Sequence, residues 1–204
     1  MRGSENWQYE ELMAAAVARL REREPGEIAA RAGLELSGTD IAMDSFGQRL
    51  RVNAATFAID PALEMWHVLC LLQYLASVDG SHPTDEWIAL ADLPEGGVSR
   101  GASFDREIDG LIAERLGKHA PEDIRGAFEA LGATFREDSR ADLCAEFRFA
   151  SNYPLLLNLW YADDEFPASG KVLVNGGVRR CLGLEAAGTA AVLLARRLCE
   201  TVEA

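Results

Sequence analysis

The chain is poor in cysteine, histidine and positive charge, and it has no long apolar run. Its four cysteines, Cys70, Cys144, Cys181 and Cys199, are far apart in sequence. They form no C-x-x-C pair, so the ligand spacing of zinc and iron-sulfur sites is missing. In a reducing compartment such thiols act as small buried hydrophobes. Lys and Arg number 20 against 33 Asp and Glu, a formal net charge of -13. A surface field of that sign repels phosphate backbones and anionic lipid headgroups, which excludes nucleic acid and membrane surfaces as expected partners. No stretch reaches the length of a membrane-spanning helix, and the opening MRGSENWQYEEL lacks the basic-then-apolar order of a secretory signal. A cytoplasmic location is therefore expected.

Chemical signatures are scarce too. The pairs Gly96-Gly97 and Gly176-Gly177 lack G-x-G-x-x-G spacing, and Ser169-Gly170-Lys171 lacks the rest of a phosphate loop. There is no G-x-S-x-G elbow, no H-E-x-x-H and no calcium-loop pattern. Turn formation accounts for these glycines.

What the sequence does contain is a globular composition, 49% hydrophobic and 26% charged over 204 residues, enough to bury one core. Apolar positions three and four apart predict an amphipathic helix over residues 6–23, with Arg23 on its wet side. A short helix follows, broken before by Pro25 and Gly26 and stopped by Gly33. IAMDSF and RLRVN read as antiparallel strands joined at Gly47 and Gln48, and TFAID as a third. Pro61 is expected in the first turn of a helix through ALEMWHVLCLLQYLASV, apolar nearly all round and so central to the domain. EWIAL is a strand candidate, and LPEGGVSRGAS reads as irregular. Helices are predicted over residues 104–117 and from Pro121 to Gly132. Strict alternation in ADLCAEFRFA, continued at Leu155, Leu157, Leu159 and Tyr161 and returned at Val172 and Val174, predicts an antiparallel meander over 143–182. A last helix runs from about Leu184 to Val202. No repeat or linker divides the chain, so the expectation is a single α+β domain over residues 1–204: a mostly antiparallel sheet, helices packed around it, and a buried central helix.

Three groups of residues carry chemistry. His67, Cys70 and Tyr74 share one side of the central helix, where an imidazole and a thiolate can meet a metal or tetrapyrrole iron, or pack as hydrogen-bonded core. Trp66, Tyr74, Trp87, Tyr153, Trp160 and Tyr161 either line a pocket for a flat ligand or fill the core. In LWYADDEFPASGK the run Asp163, Asp164, Glu165 is either a cation or general-base site or a hairpin tip shaped by Pro167 and Gly170.

YPLLLNLWYADDEFPASGKVL resembles the carboxyl-terminal signature of an uncharacterised family of bacterial and archaeal proteins, common in anaerobes and known as a domain of unknown function. EIAARAGLELSGTDIAMDSFGQRLRV, LCLLQYLASVDG and EWIALADLPEGG resemble its opening hairpin, central helix and strand with glycine turn. The resemblance points to Tyr74, Trp87, Gly96, Gly97, Pro154, Asp164, Glu165, Phe166 and Pro167. It implies that Phe166 and Pro167 tuck the acidic loop onto the sheet while Asp164 or Glu165 accepts hydrogen bonds from the protein itself. Some members are labelled iron-sulfur proteins because a cysteine-rich segment is attached; that segment has no counterpart here and the label does not carry over. Where the family pattern leads one to expect Phe-Asp at the end of the return strand, this chain has Val174 and Asn175, which removes a carboxylate.

The functional expectation is a ligand-binding or accessory module without catalysis of its own, serving metal-cofactor, tetrapyrrole or corrinoid systems of anaerobic metabolism. Its ligand-binding candidates are His67, Cys70, Tyr74, Trp87, Trp160, Asp164 and Glu165. No catalytic residue, metal ligand set or cofactor is identified, and the expected partner is a small molecule or a protein. The alternatives are a small-molecule enzyme using Asp164 or Glu165 beside Tyr74, and a protein-interaction module.

Overall fold

A computed structural model describes residues 2–93, 97–137 and 140–204. Six helices surround two antiparallel sheets: α1 (Arg2–Arg21), α2 (Pro25–Ala32), α3 (Met65–Ser77), α4 (Gly97–Glu114), α5 (Pro121–Ala130) and α6 (Leu184–Val202). The first sheet has the order β1-β2-β3-β4, from Glu35–Ser37, Asp40–Ser45, Gln48–Asn53 and Ile59–Asp60. The second runs β5-β9-β8-β7-β6, from Trp87–Ala89, Ser169–Asn175, Tyr153–Trp160, Leu143–Ala150 and Thr134–Arg136. The chain is thus α+β, as its pattern predicts.

The second sheet is built on the alternation visible in the sequence. Leu143, Ala145 and Phe147 of β7 pair in register with Leu159, Leu157 and Leu155 of β8, which meet Gly170, Val172 and Val174 of β9, while Phe149 sits at a bulge between Arg148 and Ala150. That inner face is almost wholly buried and shares one core with α3, α4 and α6. Each large aliphatic or aromatic side chain sealed there contributes about 1.5–3 kcal/mol of transfer free energy.

The β2–β3 hairpin closes through Phe46 and Gly47, both with positive φ (46° and 75°), the two-residue turn whose twist matches paired strands. Phenylalanine tolerates that backbone because its ring is buried beside His67 and Phe149 and its amide donates to the Arg148 carbonyl at 2.8 Å. Gly47 packs so closely on the end of α5 that a Cβ there would lie 2.9 Å from the Ala130 oxygen.

Four readings of the sequence need correction. Pro61 does not open α3; the helix begins at Met65, where the Glu64 carboxylate accepts the His67 amide at 3.0 Å and acts as its N-cap. Residues 97–103 are helical, not irregular: Gly101 lets α4 lie directly on the Ala91 backbone, and packing overrides propensity. Arg23 is not on a wet face but donates to the Leu75, Ala76 and Val78 carbonyls at 3.1, 3.2 and 2.9 Å, satisfying the C-terminal end of α3. The edge strands β1 and β6 were not foreseen, since three residues with little burial leave no periodic signal. Gly96 lies outside the described residues.

Candidate functional site

Helix α3 organises the candidates, but its three marked side chains go to three different neighbours. The buried ring of His67 is held on both sides: Arg197 of α6 lies 3.0 Å from Nδ1 and Ser45 Oγ of β2 lies 2.8 Å from Nε2. A guanidinium only donates. Nδ1 must therefore accept, and Nε2 carries the proton and donates to Ser45. This is the reverse of a hydrolase triad, in which the imidazole accepts from the serine, so His67 does not activate Ser45. Burial, and secondarily the Arg197 charge, lowers the imidazole from 6.5 to about 3; the ring is neutral. With both nitrogens engaged, it offers no lone pair to an iron or cobalt centre.

Cys70 turns toward α6, its sulfur 3.6 Å from the Ala186 carbonyl, and burial pushes its thiol up to about 12, helped by the Glu64 charge. It is an inert thiol, not a nucleophile. Tyr74 meets Tyr153 of β8 edge-on, with centroids 6.1 Å apart. Burial raises its hydroxyl; the nearby Asn152 amide offsets part of that rise without forming a well-made hydrogen bond.

The remaining candidates lie elsewhere. Trp87 sits on edge strand β5 opposite Asn175, its ring 5.5 Å from the Arg136 guanidinium. Pro154 is buried within β8. Trp160 ends β8 and donates to the Arg140 carbonyl. Tyr153 and Trp160 are the two ends of that strand, separated by about 23 Å of extended chain. Tyr74 and the acidic loop are thus not assembled into one site.

In the loop itself the working carboxylate is Asp163. Its Oδ1 accepts the Glu165 and Phe166 amides at 2.8 and 2.7 Å, which holds it below the usual carboxylate range. Asp164 and Glu165 are exposed, among the described residues nothing donates to them, and neither lines a described cleft. Phe166 is 67% exposed, so it does not tuck onto the sheet. The expectation placed on Asp164 and Glu165 therefore belongs one residue earlier, because a side chain closing this turn must reach the amides two and three positions ahead.

The family resemblance raises the question of iron-sulfur binding, and the donor set does not fit it. Cys70, Cys181 and Cys199 turn to the Ala186 carbonyl, the Asp79 carboxylate and the Leu111 carbonyl. Cys144 lies on β7 across from Asn158, on the face away from the core. Among the described residues, no three His, Cys, Asp or Glu side chains are grouped to hold an ion.

What the fold does form is a cleft of about 390 Å³ between α1, α3, α4 and α6. Its walls are helical stripes: Trp66, Leu69, Cys70 and Gln73 on α3, Arg100, Phe104 and Glu107 on α4, and a run from Glu185 to Arg196 on α6. Gly188 shapes it, since a Cβ there would lie 2.3 Å from the Phe104 ring; its absence lets that ring lie flat against α6. The rim is charged but balanced. Arg100 grips both oxygens of Glu185 while stacking 4.5 Å over Phe104, and Arg196 lies 3.8 Å from Glu107. Sequence reasoning found Cys70 and Trp66 but missed Arg100, Phe104, Glu107 and the α6 stripe. The only available signal was the 185, 189, 192, 196 spacing beside the apolar stripe of α6.

Among the described residues, no helix is long and apolar enough to cross a membrane. A family described as a domain of unknown function (DUF3786) matches residues 24–197. No curated protein and no solved structure matches the chain.

Proposed function

The chain belongs to the DUF3786 family of unknown function, and from that premise we propose that it is a non-catalytic ligand-binding module whose four-helix cleft takes a small, largely apolar molecule. The observation carrying this reading is the cleft itself: about 390 Å³, with buried Leu69, Phe104, Val192 and Leu193 within and paired charges at the mouth. Its volume lies in the range of small-molecule sites, and an apolar interior with few polar groups is their usual composition. The non-catalytic reading is supported by where the titratable groups stand. His67 is sealed with both nitrogens bonded, Cys70 is held as a thiol, and Asp164 and Glu165 are on a loop that lines no described cleft. A metal tetrapyrrole or corrinoid is the less favoured ligand class, because the cleft presents no free imidazole or thiolate as an axial donor.

The test uses N-phenyl-1-naphthylamine, a neutral apolar fluorophore, titrated into the folded protein. Saturable one-to-one enhancement is expected, with energy transfer from Trp66 at the cleft wall. Thr189→Phe, which fills the cleft from a half-buried position, should abolish it while leaving the thermal transition in place. Absence of saturable binding, or binding indifferent to Thr189→Phe, overturns the reading.

A further inference from the structure

A second recess, of about 280 Å³, adjoins the cleft along α6 and shares Leu193 and Arg196 with it. Its character is different. Where the first cleft is apolar inside, this one is lined by the charged side chains Glu64, Arg196, Arg197 and Glu200, with Leu131 and Thr201 completing the wall.

Its distinctive group is Arg197. The guanidinium is half-buried and spends one nitrogen on neutral His67, so its charge is not compensated there. Among the described residues, no carboxylate lies within ion-pair distance of it. The two carboxylates lining the recess are turned to other work. Glu64 caps α3 by accepting the His67 amide at 3.0 Å, and Glu200 is exposed and acts electrostatically on Arg115 and Cys199. Arg196, adjacent in the helix, is held only loosely by Glu107 at 3.8 Å. A guanidinium fixed in place by a neutral acceptor, in the wall of a recess and with further N–H donors to offer, is a preorganised receiver for an anion. Leaving such a charge half-desolvated without a partner costs free energy that a bound anion recovers.

We propose that the ligand of the cleft is an amphiphilic monocarboxylate, its apolar body between α3, α4 and α6 and its carboxylate in the second recess on Arg196 and Arg197. This rests on the ligand-binding reading given above and names the class of molecule. The geometry sets its reach: from Thr189, in the apolar cleft, to Arg197 is eight residues of α6, about 12 Å of helix rise. A fatty-acid-like chain matches that span. The presence of Glu64 and Glu200 beside the two arginines sets the charge, because a near-neutral recess suits a single negative charge better than a phosphate dianion.

The experiment displaces bound N-phenyl-1-naphthylamine with decanoate and, separately, with decanol at pH 7.5. Decanoate is expected to compete at about tenfold lower concentration than decanol, the size of one charge-assisted hydrogen-bonded contact. Arg197→Gln, at a residue that lines only the second recess, should bring the two competitors toward parity. Arg196→Gln, at the wall shared by both recesses, should do the same once each competitor is referred to that variant's own fluorophore affinity. Arg196 is solvent-accessible and its replacement leaves His67 untouched, so that variant keeps the test valid if Arg197→Gln fails to fold. Equal competition by decanoate and decanol in the unaltered protein overturns the carboxylate assignment and leaves the cleft reading standing. A decanoate preference that survives both substitutions overturns the role of these arginines. No fluorophore binding at all defeats the cleft reading instead.

Discussion

Lowering the pH titrates a group that the fold keeps uncharged at its centre. The His67 imidazole is pulled from 6.5 to about 3 by burial and by the Arg197 charge. The unfolded chain takes up its proton near 6.5, but the folded one resists until about 3. Stability from this group is therefore complete above pH 6.5, declines as the pH falls below it, and stops declining below about 3. Each pH unit well inside that window costs about 1.4 kcal/mol, so roughly 2.5 kcal/mol is lost between pH 6 and pH 4. Urea unfolding at pH 6, 5 and 4 measures it, with His67→Gln as the comparison: the variant is less stable at neutral pH but lacks this titration, so its curve should be flatter by about that amount. Asp79, Asp163, Glu185 and Glu203 are held below the usual carboxylate range and lose stability in the same direction on acidification. They are common to both proteins and cancel in the difference. Nitrogen NMR supplies an independent check, since the bonding pattern requires the Nε2–H tautomer across the range. Parallel curves for the two proteins, or a His67 resonance that titrates near 6.5, would refute the reasoning.

Three further substitutions test the buried hydrogen bonds and the close helix packing of the fold. Asn175, 1% exposed, accepts the Thr84 and Gly177 amides at 2.9 and 3.1 Å and donates to the Thr84 carbonyl at 2.7 Å. Asn175→Asp keeps the two acceptors but sets a buried carboxylate oxygen against that carbonyl. A loss of about 2–4 kcal/mol at pH 7 is expected, a fall of roughly 5–15 °C in Tm for a chain of this size. The deficit should shrink on acidification, because burial raises the new carboxyl and its protonated form again donates; a deficit independent of pH would rule this account out. In α4, Gly110→Ala meets open space and should stabilise by about 0.5–1 kcal/mol. Gly101→Ala places a methyl 2.3 Å from Ala91 Cα, and its overpacking outweighs the same propensity gain, for a net loss of about 1–2 kcal/mol. Equal thermal shifts for the two would show that α4 does not lie on the Ala91 backbone.

The carboxylate that the family pattern leads one to expect at position 175 is replaced for a reason the hydrogen bonds make plain. The position accepts two hydrogen bonds and donates one; the amide does both, whereas an ionised carboxylate has no proton to donate. The same distinction runs through the candidate site. The acidic loop was legible as a turn, but which of its carboxylates holds the backbone depends on the direction of Asp163 Oδ1 toward two amides. His67 was legible as a buried, hydrogen-bonded residue. That its partners are Ser45 and Arg197, 22 and 130 positions away, was not, because nothing local to either residue encodes the other.

By itself the sequence determined whatever depends on neighbours within a turn or two of the chain. The 3.6-residue spacing set α6 at Leu184–Val202, the strict alternation set the β7–β8–β9 meander, and glycine after a strand set the hairpin at Gly47. Burial of one face is enough to produce those elements, and burial is written in residue order. Tertiary structure alone decided what the elements do to one another: Arg23 closing the end of α3, Gly188 admitting Phe104, and α6 placing Arg196 and Arg197 in a recess that Glu64, ahead of α3, and Leu131, after α5, complete. Those contacts depend on distances and hydrogen-bond directions between segments that meet only when the core packs. For that reason the cleft, unlike the helices that line it, left no more in the sequence than the 185, 189, 192, 196 spacing on α6.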